Sequence, residues 1–250
     1  MNYQGFLTNH KTFYVLALDT STKWIICSFF KIDFESTSNF SITTLYQKEE
    51  EAIRNSFQKL SLYLKDALLY KKPDLILCGI GPGSFTGVRI GVTTARTLSQ
   101  VYRIPIIAID SLSLYSYSIY RKENIENFFI GFDGKQKKYY LKEFHQDIFL
   151  KPILDISIKE IIHKIENKIL FVDNKETLIS WLNEKEKLLY QDKIKLITSI
   201  SSRYWIDLIL SEKFINNSYN FFYENYKNVI PLYIRQDPAH EKYPEGLART

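Results

Sequence analysis

Leu75-Ile76-Leu77-Cys78-Gly79-Ile80-Gly81-Pro82-Gly83-Ser84-Phe85-Thr86-Gly87-Val88-Arg89 is an apolar run that breaks into a glycine-rich loop and then opens a helix. A continuous apolar run of strand formers reads as a strand covered on both faces, the kind found in α/β sheets. Glycines at 79, 81, 83 and 87 let the backbone take positive φ or come close to another group, which residues with side chains do only at a cost. The loop is therefore built for close approach, either of a phosphate or of another piece of protein.

Between strand and helix, free amides and the positive helix end favour an anion. A Walker-type loop is excluded, because Arg89 follows Gly87 by two and no lysine is in place. A dinucleotide fingerprint needs Gly-x-Gly-x-x-Gly, and this loop has one residue too many. Asp110, at the end of the next strand, stands where a ribose-binding acid would, but Pro82 and a hairpin ahead of the strand are foreign to that layout. A third reading looks down the helix, where Gly87, Gly91, Ala95 and Ser99 recur at steps of four. Such a smooth stripe lets a neighbour come near, inside the same domain or across an interface; periodicity alone favours the domain's own interior.

On the N-terminal side, Phe13–Leu18, Trp24–Ile32 and Ile42–Tyr46 read as three antiparallel strands. A helix is expected from about Glu49 to Tyr70, with Ile53, Phe57, Leu60, Leu64 and Leu68 on one face and three glutamates complementing the dipole of its first turn. Downstream come a helix Thr86–Val101, a strand Ile106–Ile109, a short helix from Ser111 through Tyr117, and a polar bridge Arg121–Asn127. A second hairpin, Phe128–Phe132 and Lys138–Phe144, flanks Asp133-Gly134-Lys135-Gln136, whose residues suit a turn. Then follow a helix Ser157–Glu166, a strand Ile169–Val172, a helix Lys175–Lys187, a strand Ile194–Ile197 and a helix Ser201–Phe214. The second half repeats the first in pattern, without a sequence repeat.

Of 250 residues, 45% are apolar and 24% charged, as in ordinary globular chains. The net charge of +5 falls short of the dense basic stripe of a nucleic-acid binder. Cys27 and Cys78 lie in apolar runs and read as reduced core thiols of a cytoplasmic protein. The first dozen residues read as a polar extension without targeting logic, and no stretch has the length of a membrane span. His10, His145, His163 and His240 form no pair at helical spacing, and Ser84 is not in a Gly-x-Ser-x-Gly elbow. Asp19-Thr20-Ser21-Thr22 is either a turn with satisfied backbone bonds or a phosphate- or metal-holding turn of the actin and sugar-kinase type. No catalytic set, metal site or cofactor is expected.

Leu16-Ala17-Leu18-Asp19-Thr20-Ser21-Thr22, the run Gly81-Pro82-Gly83-Ser84-Phe85-Thr86-Gly87-Val88-Arg89-Ile90-Gly91, Ile104-Pro105 with Ser111-Leu112, and Pro231-Leu232-Tyr233-Ile234-Arg235 together resemble the TsaB family, also called YeaZ. The resemblance is firm from Phe13 to about Leu114, thinner over Asp133–Tyr140, and returns at Pro231. It implies a two-lobed α/β fold of the actin/Hsp70/sugar-kinase type with ribonuclease H-like cores: an extension 1–12, a lobe 13–113 and a degenerate lobe 114–250. It implies a non-catalytic role in making threonylcarbamoyladenosine at position 37 of tRNAs that read codons beginning with adenine. The chain would support a TsaD-like subunit, which carries the metal and transfers the threonylcarbamoyl group. Contact would run through helices that include the one after the glycine motif, making Gly87, Val88, Arg89, Gly91, Ala95 and Ser99 interface candidates. Asp19, Thr20, Ser21, Gly81, Gly83, Ser84 and Thr86 would be a structural motif or vestigial phosphate loop. A TsaE-like ATPase would join the pair, tRNA would be met only through the complex, and the chain alone would form a homodimer, away from any membrane. The alternative is an ATP-binding phosphotransferase of the same fold. This sequence departs from the family at Asn55-Ser56, where a histidine is usual, and in the segment before Phe13.

Overall fold

A computed structural model describes residues 2–35, 39–52, 55–145, 151–165, 167–218 and 221–235. Its first half runs α1 (Tyr3–Thr8), β1 (Thr12–Asp19), β2 (Trp24–Phe34), β3 (Phe40–Glu51), α2 (Ser56–Ala67), β4 (Leu75–Gly79), α3 (Phe85–Tyr102), β5 (Ile106–Ile109) and α4 (Ser111–Glu123). The second half adds β6 (Phe128–Asp133), β7 (Lys138–Phe144), β8 (Leu154–Ser157), α5 (Ile158–Ile165), β9 (Ile169–Val172), α6 (Lys175–Ser180), α7 (Glu184–Tyr190), β10 (Ile194–Leu196), α8 (Ser202–Ile209), α9 (Glu212–Asn217) and β11 (Phe222–Tyr223).

Two sheets form, in the orders β11-β5-β4-β1-β2-β3 and β10-β9-β6-β7-β8. In each, an antiparallel meander (β1-β2-β3, β6-β7-β8) is extended by two parallel strands on the other side of its first strand. This repeated order is the ribonuclease H-like α/β arrangement of the actin/Hsp70 type. Burial on both faces explains why β4 and β5 carry no polar residue. Helices α2 and α3 cover one face of the first sheet, through Leu60, Tyr63, Val88, Val92 and Ala95. The other face meets the second half of the chain around Tyr115, Phe132 and Trp205.

Three expectations need correction. Glu49, Glu50 and Glu51 are not in a helix; they pair with Ile26, Ile25 and Trp24 as the charged end of the edge strand β3. The dipole that an acid complements is instead that of α8, since a Glu49 carboxylate oxygen accepts from the Ser202 amide and hydroxyl, both at 2.5 Å. Helix α2 starts only at Ser56, after Asn55 at φ 70°, and Ile53 lies outside the described residues. The N-terminal segment is not a loose polar extension: Asn2 caps α1, and Tyr3 and Phe6 are buried against Phe13, Phe214 and Phe222. The expected helices 175–187 and 201–214 each break in two, where Asn183 and Ser211 cap new starts. Strands β8 and β11 were not anticipated, and β11 returns the chain to the first sheet.

Candidate functional site

What approaches the glycine loop is the turn that follows β1. The Ser84 amide donates to the Ser21 carbonyl at 2.6 Å, and the Thr20 hydroxyl donates to the Gly87 carbonyl at 2.6 Å. A Cβ on Gly83 would overlap the Ser21 carbonyl, and one on Gly87 would overlap the Thr20 carbonyl. Ser84 caps α3 through the Gly87 amide. Gly81, at φ 91°, exchanges bonds with Ser111: its amide donates to the hydroxyl at 3.0 Å and its carbonyl accepts from the amide at 2.7 Å. The Gly81, Ser84 and Gly87 amides are thus spent on acceptors within this chain.

The smooth stripe has the same fate. Gly87, Val88, Gly91, Ala95 and Ser99 are all buried, with Thr20 beside Gly91 and the Ser99 hydroxyl donating to Ile104. In the lone chain strands β1 and β4 and the Thr20-Ser21 turn occupy that side of α3. Of the residues read as an interface, Arg89 is exposed. Thr86 is exposed too, two residues after the cap Ser84.

Asp19 is fully buried at the end of β1, where its carboxylate accepts from the Ser21 amide at 2.6 Å. Burial pushes this carboxyl up, and the Ser111 and Ser21 hydroxyls partly offset that. Gly79 is needed beside it, since a Cβ there would overlap the carboxylate. A cleft of about 500 Å³ opens between this turn and the ends of β6 and β9, lined among others by Lys23, Asp133, Lys135, Asp173 and Lys175. Two of its cations are neutralised, Lys23 by Glu51 and Lys135 by Asp133, both at 2.7 Å. Burial, with the Asp133 charge adding to it, pushes Asp173 up to about 6, although its carboxylate accepts from the Asp133 amide at 2.9 Å. Asp110 is the N-cap of α4 and pairs with the buried Lys142 at 2.9 Å, which leaves no ribose-binding acid. Among the described residues no group of three or more His, Cys, Asp and Glu side chains could hold a metal ion. Nor is any described helix long and apolar enough to cross a membrane.

The outward side of α3 is organised differently. Arg89 donates through Nε to the Tyr233 hydroxyl at 2.9 Å, and its guanidinium lies 3.7 Å from the centroid of the Phe85 ring. The adjoining α2 and the turn after it expose Phe57, Leu62 and Leu69, and α3 exposes Val101. Phe57, expected on the apolar face of the helix with Leu60, is exposed instead, because α2 starts only at Ser56 and buries the face of Leu60, Tyr63 and Ala67; sequence reasoning gave Phe85 and Tyr233 no role and missed Leu62 and Leu69. The available signal was the spacing of Leu62 and Leu69, off the face that Leu60, Tyr63 and Ala67 bury. The segment Pro231–Arg235 runs past Arg89: Leu232 bonds to Ile80, and Arg235 holds Asp155 with two nitrogens, at 2.7 and 2.5 Å.

A sequence model of the family described as TsaD, tRNA N6-adenosine threonylcarbamoyltransferase, matches residues 50–211. The chain belongs to this family. Within it the chain lies on the catalytically inactive TsaB/YeaZ branch, whose general role is accessory to a TsaD-type catalytic subunit. The tRNA threonylcarbamoyladenosine biosynthesis protein TsaB of Buchnera aphidicola subsp. Schizaphis graminum is 26% identical over 75% of this chain and 93% of its own length. Its counterpart from Buchnera aphidicola subsp. Acyrthosiphon pisum is 24% identical over 65% of this chain and 64% of its own length. The structure of YeaZ from Pseudomonas aeruginosa has the same fold, with a TM-score of 0.62 at 18% identity, covering 88% of this chain and 99% of that one.

Proposed function

We propose that the chain is the accessory subunit of a complex that makes threonylcarbamoyladenosine at position 37 of tRNA. It supports the TsaD-type catalytic subunit through the outward faces of α2 and α3. The observation that carries this reading is the set of large apolar side chains left in water on adjacent helices: Phe57 at 64%, Leu62 at 56%, Leu69 at 77% and Val101 at 67% exposure. Isolated exposed apolar residues are ordinary, but a group on packed neighbouring helices marks a contact surface. Helix α3 contributes its Arg89 side, and not the glycine stripe.

In this reading residues 13–113 and 114–250 are the two lobes, a TsaE-like ATPase joins the assembled pair, and tRNA is met through the complex. The same helical face would pair two copies when the partner is absent. The buried thiols Cys27 and Cys78 suit the cytoplasm. Copurification with the TsaD-type protein is the test: wild type should form the complex, and Leu62→Glu with Leu69→Glu should lose it while keeping the wild-type melting temperature. A double variant that still binds normally would place the contact elsewhere.

A further inference from the structure

The outward face of α3 is built of arginine. Arg89, Thr93, Arg96, Gln100 and Arg103 follow one another at steps of three and four, a single stripe along the helix and its C-cap. All reach the surface, Arg96 half-buried and the others exposed. No aspartate or glutamate occurs anywhere from Phe85 to Arg103. Among the described residues no acidic side chain pairs with Arg89, Arg96 or Arg103; Arg89 is held by a neutral hydroxyl and an aromatic ring. Cations elsewhere on this surface do find acids, as Lys23, Lys59, Arg203 and Arg235 show.

We propose that this stripe docks a helix of the catalytic partner whose carboxylates recur one heptad apart, opposite Arg89, Arg96 and Arg103. This rests on the function proposed above and adds the chemistry of the partner. Seven residues of helix advance by about 10 Å, so a helix packed alongside α3 with acids at the same repeat meets the guanidinium groups in register. Phe85 and Tyr233 pre-order Arg89, which lowers the entropy lost when it is engaged. An RNA backbone would satisfy the charges but leave Phe85, one turn before Arg89 on the same stripe, in water, whereas a helix covers it.

The test is titration of the full chain with the TsaD-type protein at low and high salt. Wild-type affinity should fall as salt screens the contact, and Arg96→Glu with Arg103→Glu should weaken binding at least about ten-fold at low salt with an unchanged melting temperature. Among the described residues neither arginine side chain makes a hydrogen bond or ion pair, and the Arg103 cap bond to Ser99 uses its backbone amide, so the fold should survive the exchange. Lys159→Glu with Lys164→Glu, an equal charge change on the exposed side of α5, should bind like wild type. A salt-insensitive complex, or equal weakening by both pairs, overturns the charge pairing and leaves the proposed function standing. No complex with wild type overturns both. Retained partner affinity, combined with loss of either self-association or binding to an RNA oligonucleotide in the arginine variant, assigns the stripe to that other occupant and overturns the proposal.

Discussion

Thr20 Oγ1 donates to the Gly87 carbonyl at 2.6 Å, so the hydroxyl after β1 closes on the first turn of α3. Backbone and side chain thereby approach more closely than any Cβ at position 87 would permit. The glycine motif is a weld between two segments of one chain.

Gly87→Ala should therefore destabilise the fold directly. Overlap with a backbone oxygen cannot be relieved by a rotamer change, and overpacking of this kind costs about 1–3 kcal/mol. Urea unfolding of the isolated chain reads it out. A variant with wild-type stability and a lost complex would instead restore the stripe as an interface.

Nucleotide should not bind. With the Ser84 amide on the Ser21 carbonyl, the Gly87 amide on Ser84 Oγ and the Gly81 amide on Ser111 Oγ, three amides of the loop are already engaged by acceptors of this chain. Calorimetry with ATP and magnesium on the isolated chain should give no heat of binding; micromolar affinity would revive the phosphotransferase alternative.

Asp173 gives a signature in pH. Its native pKa, about 6, lies above the ordinary carboxylate value of 3.8, so the folded state holds the proton more tightly than the unfolded state. Stability from this group is present below about pH 4, declines as pH rises through 6, and is flat above that. Asp173→Asn keeps an acceptor for the Asp133 amide and removes the titration. It should stabilise the protein by about 2 kcal/mol at pH 7 and by little at pH 4. Denaturation at the two pH values decides; an equal effect at both counts against the burial argument.

Tyr3→Ala should cost about 3–5 kcal/mol, the usual loss for a large buried ring. Its hydroxyl donates to the Ile209 carbonyl at 3.1 Å and its ring meets Phe214 and Phe222. Tyr3→Phe should keep most of the stability, because ring packing survives and a single hydrogen bond is worth about 1 kcal/mol. Thermal melts of both variants separate the two contributions.

Strands that are buried on both faces were legible in the sequence, because nothing in Leu75–Cys78, Ile106–Ile109 or Ile169–Val172 competes with the strand reading. Contacts over long separations were not. Glu49 caps a helix that begins at Ser202, and no local rule reveals that an acid at the end of a strand serves a distant dipole. The small-residue stripe was read from the family resemblance as a partner interface, whereas in the chain it packs on Thr20, a neighbour far away in sequence that could not be read from the helix. For α1, Tyr3 and Phe6 at helical spacing were the available sign, hidden by the polar residues between and around them.

Strand β11 is short, yet its timing matters. Phe222 and Tyr223 pair with Ile107 and Ile106, closing the outer edge of the first sheet. During ribosomal synthesis the Ile106–Ile109 edge emerges long before the residues that cover it, an unpaired apolar ladder of the sort that recruits other chains. A nascent chain halted ahead of Phe222 would carry that open edge with nothing of its own to seal it, so premature termination late in the message should yield aggregates rather than a soluble first lobe.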